Sequence, residues 1–208
     1  SASPAATYAP ANASAPAGGD SIGVDEYREV AFVVGRTGAI SLIAMHGQGL
    51  PAAPTAPALG GAMVITVASI GKDSLLLGTS DGRALPLSIK FDIAFRDGRR
   101  TVTPQTELGA PLALDPGRNR AIARLTGAVT GKAPVTLAQG GRTTLARHSV
   151  VEKKALIGGT TRQESSSSLE VPIAGEITAL RLDGRGEDLV IGPSRGQLIW
   201  YDIRDAQD

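Results

Sequence analysis

Gly78 and Gly192 stand 114 residues apart, and so do Gly82 and Gly196. A matched distance at two points of one pattern is the signature of an internal repeat. The segments around these glycines share a grammar. In 63–87 (MVITVASIGKDSLLLGTSDGRALPL), Met63–Ser69 reads as a strand, Ile70–Ser74 as a turn and Leu75–Leu77 as a short strand. The TSDG sequence then turns, and Arg83–Leu87 leaves as a third strand. In 177–203 (ITALRLDGRGEDLVIGPSRGQLIWYDI), Ile177–Leu182, Leu189–Ile191 and Gln197–Asp202 are the strands, with DGRGED and PSRG between them. An x-D-G-x or S-x-G-x turn needs a residue that accepts positive φ, which glycine does without steric cost. The small residue closing each short strand, Gly78 or Gly192, suits a crowded position near a central channel.

Weaker copies of the unit lie at 28–43, with turn Gly38, and at 119–146, with turn Gly141. Successive turn glycines are then 44, 59 and 55 residues apart, slightly longer than the ~40–45 residues of a four-stranded propeller blade. Fourth, outer strands are expected at Lys90–Phe95 and within Ser149–Ile157. The 26 glycines and 13 prolines among 208 residues fall short of the ~25–30% that marks low-complexity disorder. The expectation is an all-β fold: a propeller-like array of about four antiparallel blades, spanning 22–208. Residues 1–21, almost all Ala, Ser, Pro and Gly, read as a flexible, disordered leader. The uncharged run between His46 and Lys72 carries Pro51, Pro54 and Pro57, so it reads as a linker entering a strand and not as a membrane helix.

The chemistry-bearing residues are sparse. With no cysteine there is no disulfide, thiolate metal site or thiol nucleophile. A net charge of +1 argues against a nucleic-acid partner. His46 and His148 lie far apart and read as solvated loop residues. The run Ser165–Ser168 reads as a loop tip, lacking the G-x-S-x-G context of a nucleophile. Arg118, Arg120 and Arg124, with Arg99 and Arg100, alternate with small residues and read as the wet face of a strand, with anion binding the sharper alternative. Gly140-Gly141 and Gly158-Gly159 lack the Lys-Ser/Thr that follows a phosphate loop. Glu187-Asp188 and the pair Asp202 and Asp205 sit in turns or at the tail. No catalytic residue, cofactor or metal is expected.

The unit 177–203 resembles a WD-repeat: an apolar strand, a D-G turn, L-V-I-G, a glycine turn and an aromatic-acid ending at Trp200-Tyr201-Asp202. It departs from the family in ending W-Y-D and in lacking a Gly-His opening, and the other units have no Trp. Over about 22–206 the chain also resembles the extracytoplasmic insertion of some proteobacterial phosphate-type ABC transporter permeases. The similarity lies in the Pro/Ala-rich lead-in, V-D-E-Y-R-E-V-A-F at 24–32, E-I-T-A-L-R-L-D at 176–183 and G-Q-L-I-W-Y-D-I at 196–203. The resemblance implies a non-catalytic module on the periplasmic side of the bacterial inner membrane, with a protein partner such as a solute-binding protein or the permease's membrane part. It carries over no residue of phosphate chemistry. The alternative is a free-standing periplasmic propeller, enzymatic or ligand-binding, with a site in its channel. Two structural expectations follow. Trp200 should be buried between neighbouring sheets, and the end units, exposing apolar faces, should drive self-association of the excised domain.

Overall fold

The repeat read from the glycines is present as paired backbone. A computed structural model describes residues 15–26, 29–45, 57–112, 114, 120–130, 133–154 and 159–204. Fifteen strands occur among the described residues: β1 (Gly18–Gly19), β2 (Ile22–Asp25), β3 (Val30–Val34), β4 (Ile40–Ala44), β5 (Val64–Gly71), β6 (Ser74–Thr79), β7 (Ala84–Arg96), β8 (Arg99–Leu108), β9 (Leu125–Thr130), β10 (Ala133–Gln139), β11 (Thr144–Lys154), β12 (Thr160–Glu170), β13 (Ile177–Leu182), β14 (Asp188–Pro193) and β15 (Ile199–Asp202). The strands β6 and β14 have bounds that differ by 114 residues at both ends. Each pairs with the preceding strand through the same irregularity: Val64↔Thr79 then Thr66↔Gly78, and Ile177↔Pro193 then Ala179↔Gly192. A shared bulge in a shared place shows that the two units are built alike.

Four sheets follow one another along the chain: β2-β3-β4, β1-β5-β6-β7-β8, β12-β11-β10-β9 and β13-β14-β15, here called sheets 1 to 4. Neighbouring strands are antiparallel except β1, which lies parallel to the inner edge of β5. Apolar cores lie between successive sheets. Val30, Val34, Ile40 and Leu42 of sheet 1 cluster with Leu75, Leu77, Leu85 and Leu87 of sheet 2. Ala68, Leu76 and Ala84 on the other side of sheet 2 cluster with Leu125, Ala138 and Ala146 of sheet 3. Val135, Leu137 and Leu145 on the far side of sheet 3 meet Ile177, Leu182, Leu189 and Ile191 of sheet 4. A strand buried on both faces must be apolar at consecutive positions, which is why β6 reads Leu75-Leu76-Leu77. This is an all-β, propeller-like array of four blades.

Several expectations are corrected. Lys90–Phe95 is the continuation of β7, a 13-residue strand, and the outer strand is β8. Between them Asp97 and Gly98 take φ of 52° and 73°, the positive-φ pair of a two-residue hairpin turn, so this D-G marks the end of the long strand. The described part of Ser149–Ile157 belongs to β11, and the outer strand of sheet 3 is β12. Ser165–Ser168 lies within β12, paired to Ala146–Ser149, and is no loop tip. The leader expected over 1–21 ends earlier: from residue 15 the chain is part of the fold, with Ala17 and Ser21 buried. Its first 14 residues lie outside the described ones.

Candidate interaction surfaces and the inner cavity

The turn glycines divide into two kinds. Gly38, Gly82 and Gly196 have φ of 83°, 85° and 77°, the left-handed region that their turns require. Gly141 also sits in a turn between paired strands, where its N–H donates to the Thr144 carbonyl, but it is absent from the positive-φ set. The turn at 140–143 does not depend on a glycine in the left-handed region. Gly78 is the crowded position expected: a Cβ there would lie 2.7 Å from Thr66 Cγ2 and 2.9 Å from Ile122 Cγ2. At Gly192 the nearest neighbour would be Ala179 Cβ on its own sheet, at 3.2 Å. The crowding at Gly78 comes partly from Ile122, in the segment leading into sheet 3, and among the described residues no following sheet lies over Gly192.

That difference reappears at Trp200, which is 63% exposed and not buried between sheets as expected. Its register explains why. Trp200 pairs with Val190 on β14, and Val190 pairs with Arg181 on β13, so these three share the face of sheet 4 turned away from sheet 3. Trp200 Nε1 donates to Asp188 Oδ1 at 3.1 Å on that same face. Leu198 beside them is 81% exposed. Asp202 is held by the Arg204 guanidinium, whose Nε lies 2.9 and 3.0 Å from the two carboxylate oxygens, and by the Arg204 N–H. These bonds bring the Asp202 carboxyl down to about 2.

Sheet 1 has the same exposure at the other end of the array. Ile22, Val24 and Met45 are all exposed. The pairs Ile22↔Val33, Val24↔Ala31 and Ala31↔Ile43 place Ala31, Val33 and Ile43 on the face of Ile22 and Val24, opposite the buried Val30, Val34 and Leu42. Sequence reasoning missed these residues individually. For sheet 4 the available signal was D-L-V-I-G-P, apolar on both faces although no further sheet packs on it among the described residues.

Inner strands of sheets 2, 3 and 4 border one cavity of about 390 Å³, lined by Gly19 and Asp20, Thr66 and Val67, Arg124 and Leu125, and Thr178 to Arg181. Its polar groups tie sheets together. Arg181 Nη1 donates to Asp20 Oδ2 at 3.0 Å, and the Ser69 N–H reaches the same oxygen at 2.9 Å. Arg124 Nε donates to the Thr178 carbonyl at 2.7 Å. Arg124 and Arg120 lie outside any strand, which corrects the alternating-strand expectation, and Arg118 lies outside the described residues. Arg100 on β8 forms an ion pair with Glu29 at 2.7 Å, and the Arg99 side chain is outside the description.

His148 is no solvated loop residue. It lies on β11, 2% exposed, with Nδ1 3.4 Å from Ser166 Oγ and Nε2 without a partner. Ser149 Oγ lies 2.8 Å from Ser165 Oγ. Adjacent residues of a strand point to opposite faces, so the imidazole and the Ser149–Ser165 pair do not converge. His46, Gly158 and Asp205 lie outside the described residues. Asp188 belongs to β14 and not to the preceding turn.

The architecture defines the class as an all-β, propeller-like array of four sheets. The sequence matches no family model and no curated protein. A solved structure described as "Crystal Structure of Mitotic Checkpoint Complex" is similar over 96% of this chain and 56% of that chain, at 14% identity and a TM-score of 0.45. The chain thus spans little more than half of that chain's length.

Proposed function

We propose that the chain is a non-catalytic interaction module of a phosphate-type ABC transporter permease, displayed on the periplasmic side of the bacterial inner membrane. The interaction reading rests on one observation: both end sheets present exposed apolar residues, Ile22, Val24 and Met45 at one end and Val190, Leu198 and Trp200 at the other. Water penalises such surface at about 25 cal/mol per Å², and apolar faces rimmed by polar residues mark protein contacts. The cavity between the inner strands is the weaker candidate, because its guanidiniums and carboxylate are engaged in holding sheets together. The permease reading rests on the sequence resemblance across 22–206.

A photocrosslinking residue in place of Leu198, in the full-length membrane protein, should trap another polypeptide chain. The same probe in place of Gln163, exposed on the outer strand β12, should trap none. Equal labelling from the two positions would remove the interaction reading. The flanking coding sequence tests the permease separately: that reading requires membrane spans on both sides, and their absence would leave only the scaffold.

A further inference from the structure

The repeat identifies which face of each end sheet is left exposed among the described residues. Leu76 and Gly78 of sheet 2 face sheet 3; Leu76 is 2% exposed and Gly78 lies under Ile122. Their counterparts 114 residues on are Val190 and Gly192, which face outward from sheet 4. Leu75 and Leu77 face sheet 1, and their counterparts Leu189 and Ile191 face sheet 3. Every blade therefore has one face for its predecessor and one for its successor, and among the described residues no sheet covers the successor face of sheet 4.

Sheet 1 has the opposite deficit. The pairs Val34↔Ile40 and Gly78↔Ala84 are both offset by 44 residues, as are the turn glycines Gly38 and Gly82. By that offset Phe32 and Val34 correspond to Leu76 and Gly78, and they do face the following sheet. Ala31 and Val33 correspond to Leu75 and Leu77, so the face they share with Ile22, Val24 and Ile43 is one built for a predecessor. Among the described residues no apolar cluster joins sheet 4 to sheet 1.

We infer that the occupant of both faces is a second copy of this chain. Sheet 1 of one copy follows sheet 4 of the other, and a two-fold axis along the channel makes the reciprocal contact, closing a ring of eight sheets. One pairing satisfies both deficits, and the face types match those already packed three times within the chain. Pairing of sheet 4 with sheet 4 would oppose two successor-type faces instead. A closed two-fold arrangement also limits growth, where a one-sided contact would polymerise. This inference rests on the interaction reading above and names its partner.

Sedimentation equilibrium at micromolar concentration should give twice the chain mass of 21.2 kDa. Leu198→Glu on sheet 4 and Val24→Glu on sheet 1 should each give a monomer with unchanged far-ultraviolet circular dichroism. Both residues are exposed within one chain, 81% and 55%, so neither charge enters a monomer core. Mixing the two variants leaves one intact contact of the pair, so a weaker dimer should return. Trp200 is the only tryptophan, and its emission should shift to the red in Val24→Glu, although that substitution is at the opposite end of the array.

A monomeric wild-type chain would overturn the inference. So would dimers that survive Val24→Glu but not Leu198→Glu, which is the mark of a contact between two copies of sheet 4. A series of oligomers growing with concentration would overturn the closed ring. If the chain is monomeric while position 198 still crosslinks a different polypeptide, the interaction reading stands and the second copy falls.

Discussion

Gly78 and Asp183 show how single residues set this fold. A methyl group at Gly78 would press on two β-branched side chains that have little rotamer freedom to yield, Thr66 at 2.7 Å and Ile122 at 2.9 Å. Gly78→Ala should cost about 1–3 kcal/mol by overpacking. Combined with Ile122→Ala it should cost less than the sum of the two changes, and strict additivity in denaturant unfolding would contradict the contact. Asp183 organises the DGRGED turn: Oδ1 accepts the N–H groups of Glu187 and Asp188 at 2.8 and 3.0 Å, and Oδ2 accepts that of Arg185 at 3.1 Å. Burial opposes ionisation there, but the backbone donors outweigh it and hold the carboxyl below the usual range. A lowered folded-state value contributes stability above the ordinary carboxylate range, lost as pH falls through the lowered value. Wild type should therefore lose more stability than Asp183→Asn over that acid interval. Parallel pH profiles for the two would exclude the effect.

At the scale of one strand, the two faces of β14 predict opposite outcomes from neighbouring substitutions. Ile191 is fully buried against sheet 3, whereas Val190 is 38% exposed on the open face. In the dissociated chain Ile191→Ala should cost about 2–5 kcal/mol, and Val190→Ala should stay within about 0.5 kcal/mol. Val190→Ala should instead weaken association of copies. Chemical denaturation of the monomeric Val24→Glu background separates the two effects, and equal losses there would deny the assigned faces. Elements of this kind were legible because β6 and β14 carry their pattern locally, in glycines at fixed places and in consecutive apolar residues. Trp200 was misplaced for a different reason. Its strand was read correctly, but whether a face is covered depends on the existence of another sheet, which no local pattern states. The outer strand β8 is hidden in the sequence because β7 runs on through Phe95 to Arg96, past the length of an ordinary strand, and the D-G turn at 97–98 comes only after it.

Across the whole molecule, the order of sheets in space follows the order of strands in sequence, with one exception. The exception has a kinetic meaning. Most pairings join strands that are adjacent along the chain, so each sheet can form by closing short loops. The segment containing β1 instead reaches forward to lie parallel to β5, matching Gly18 with Thr66 and Gly19 with Val67, while the Asp20 N–H donates to the Val67 carbonyl at 2.8 Å. The hairpin of β5 and β6 has a ladder of its own, from Val64↔Thr79 to Gly71↔Ser74. The segment is therefore expected to act as a latch, laid along the edge of a sheet whose remaining strands pair without it. Native-state hydrogen exchange should find the Asp20 amide opening at lower free energy than the amides of Leu76 and Leu77, which share the global unfolding reaction. Equal protection at these positions would mean that the latch and the sheet rise and fall together, as one cooperative unit.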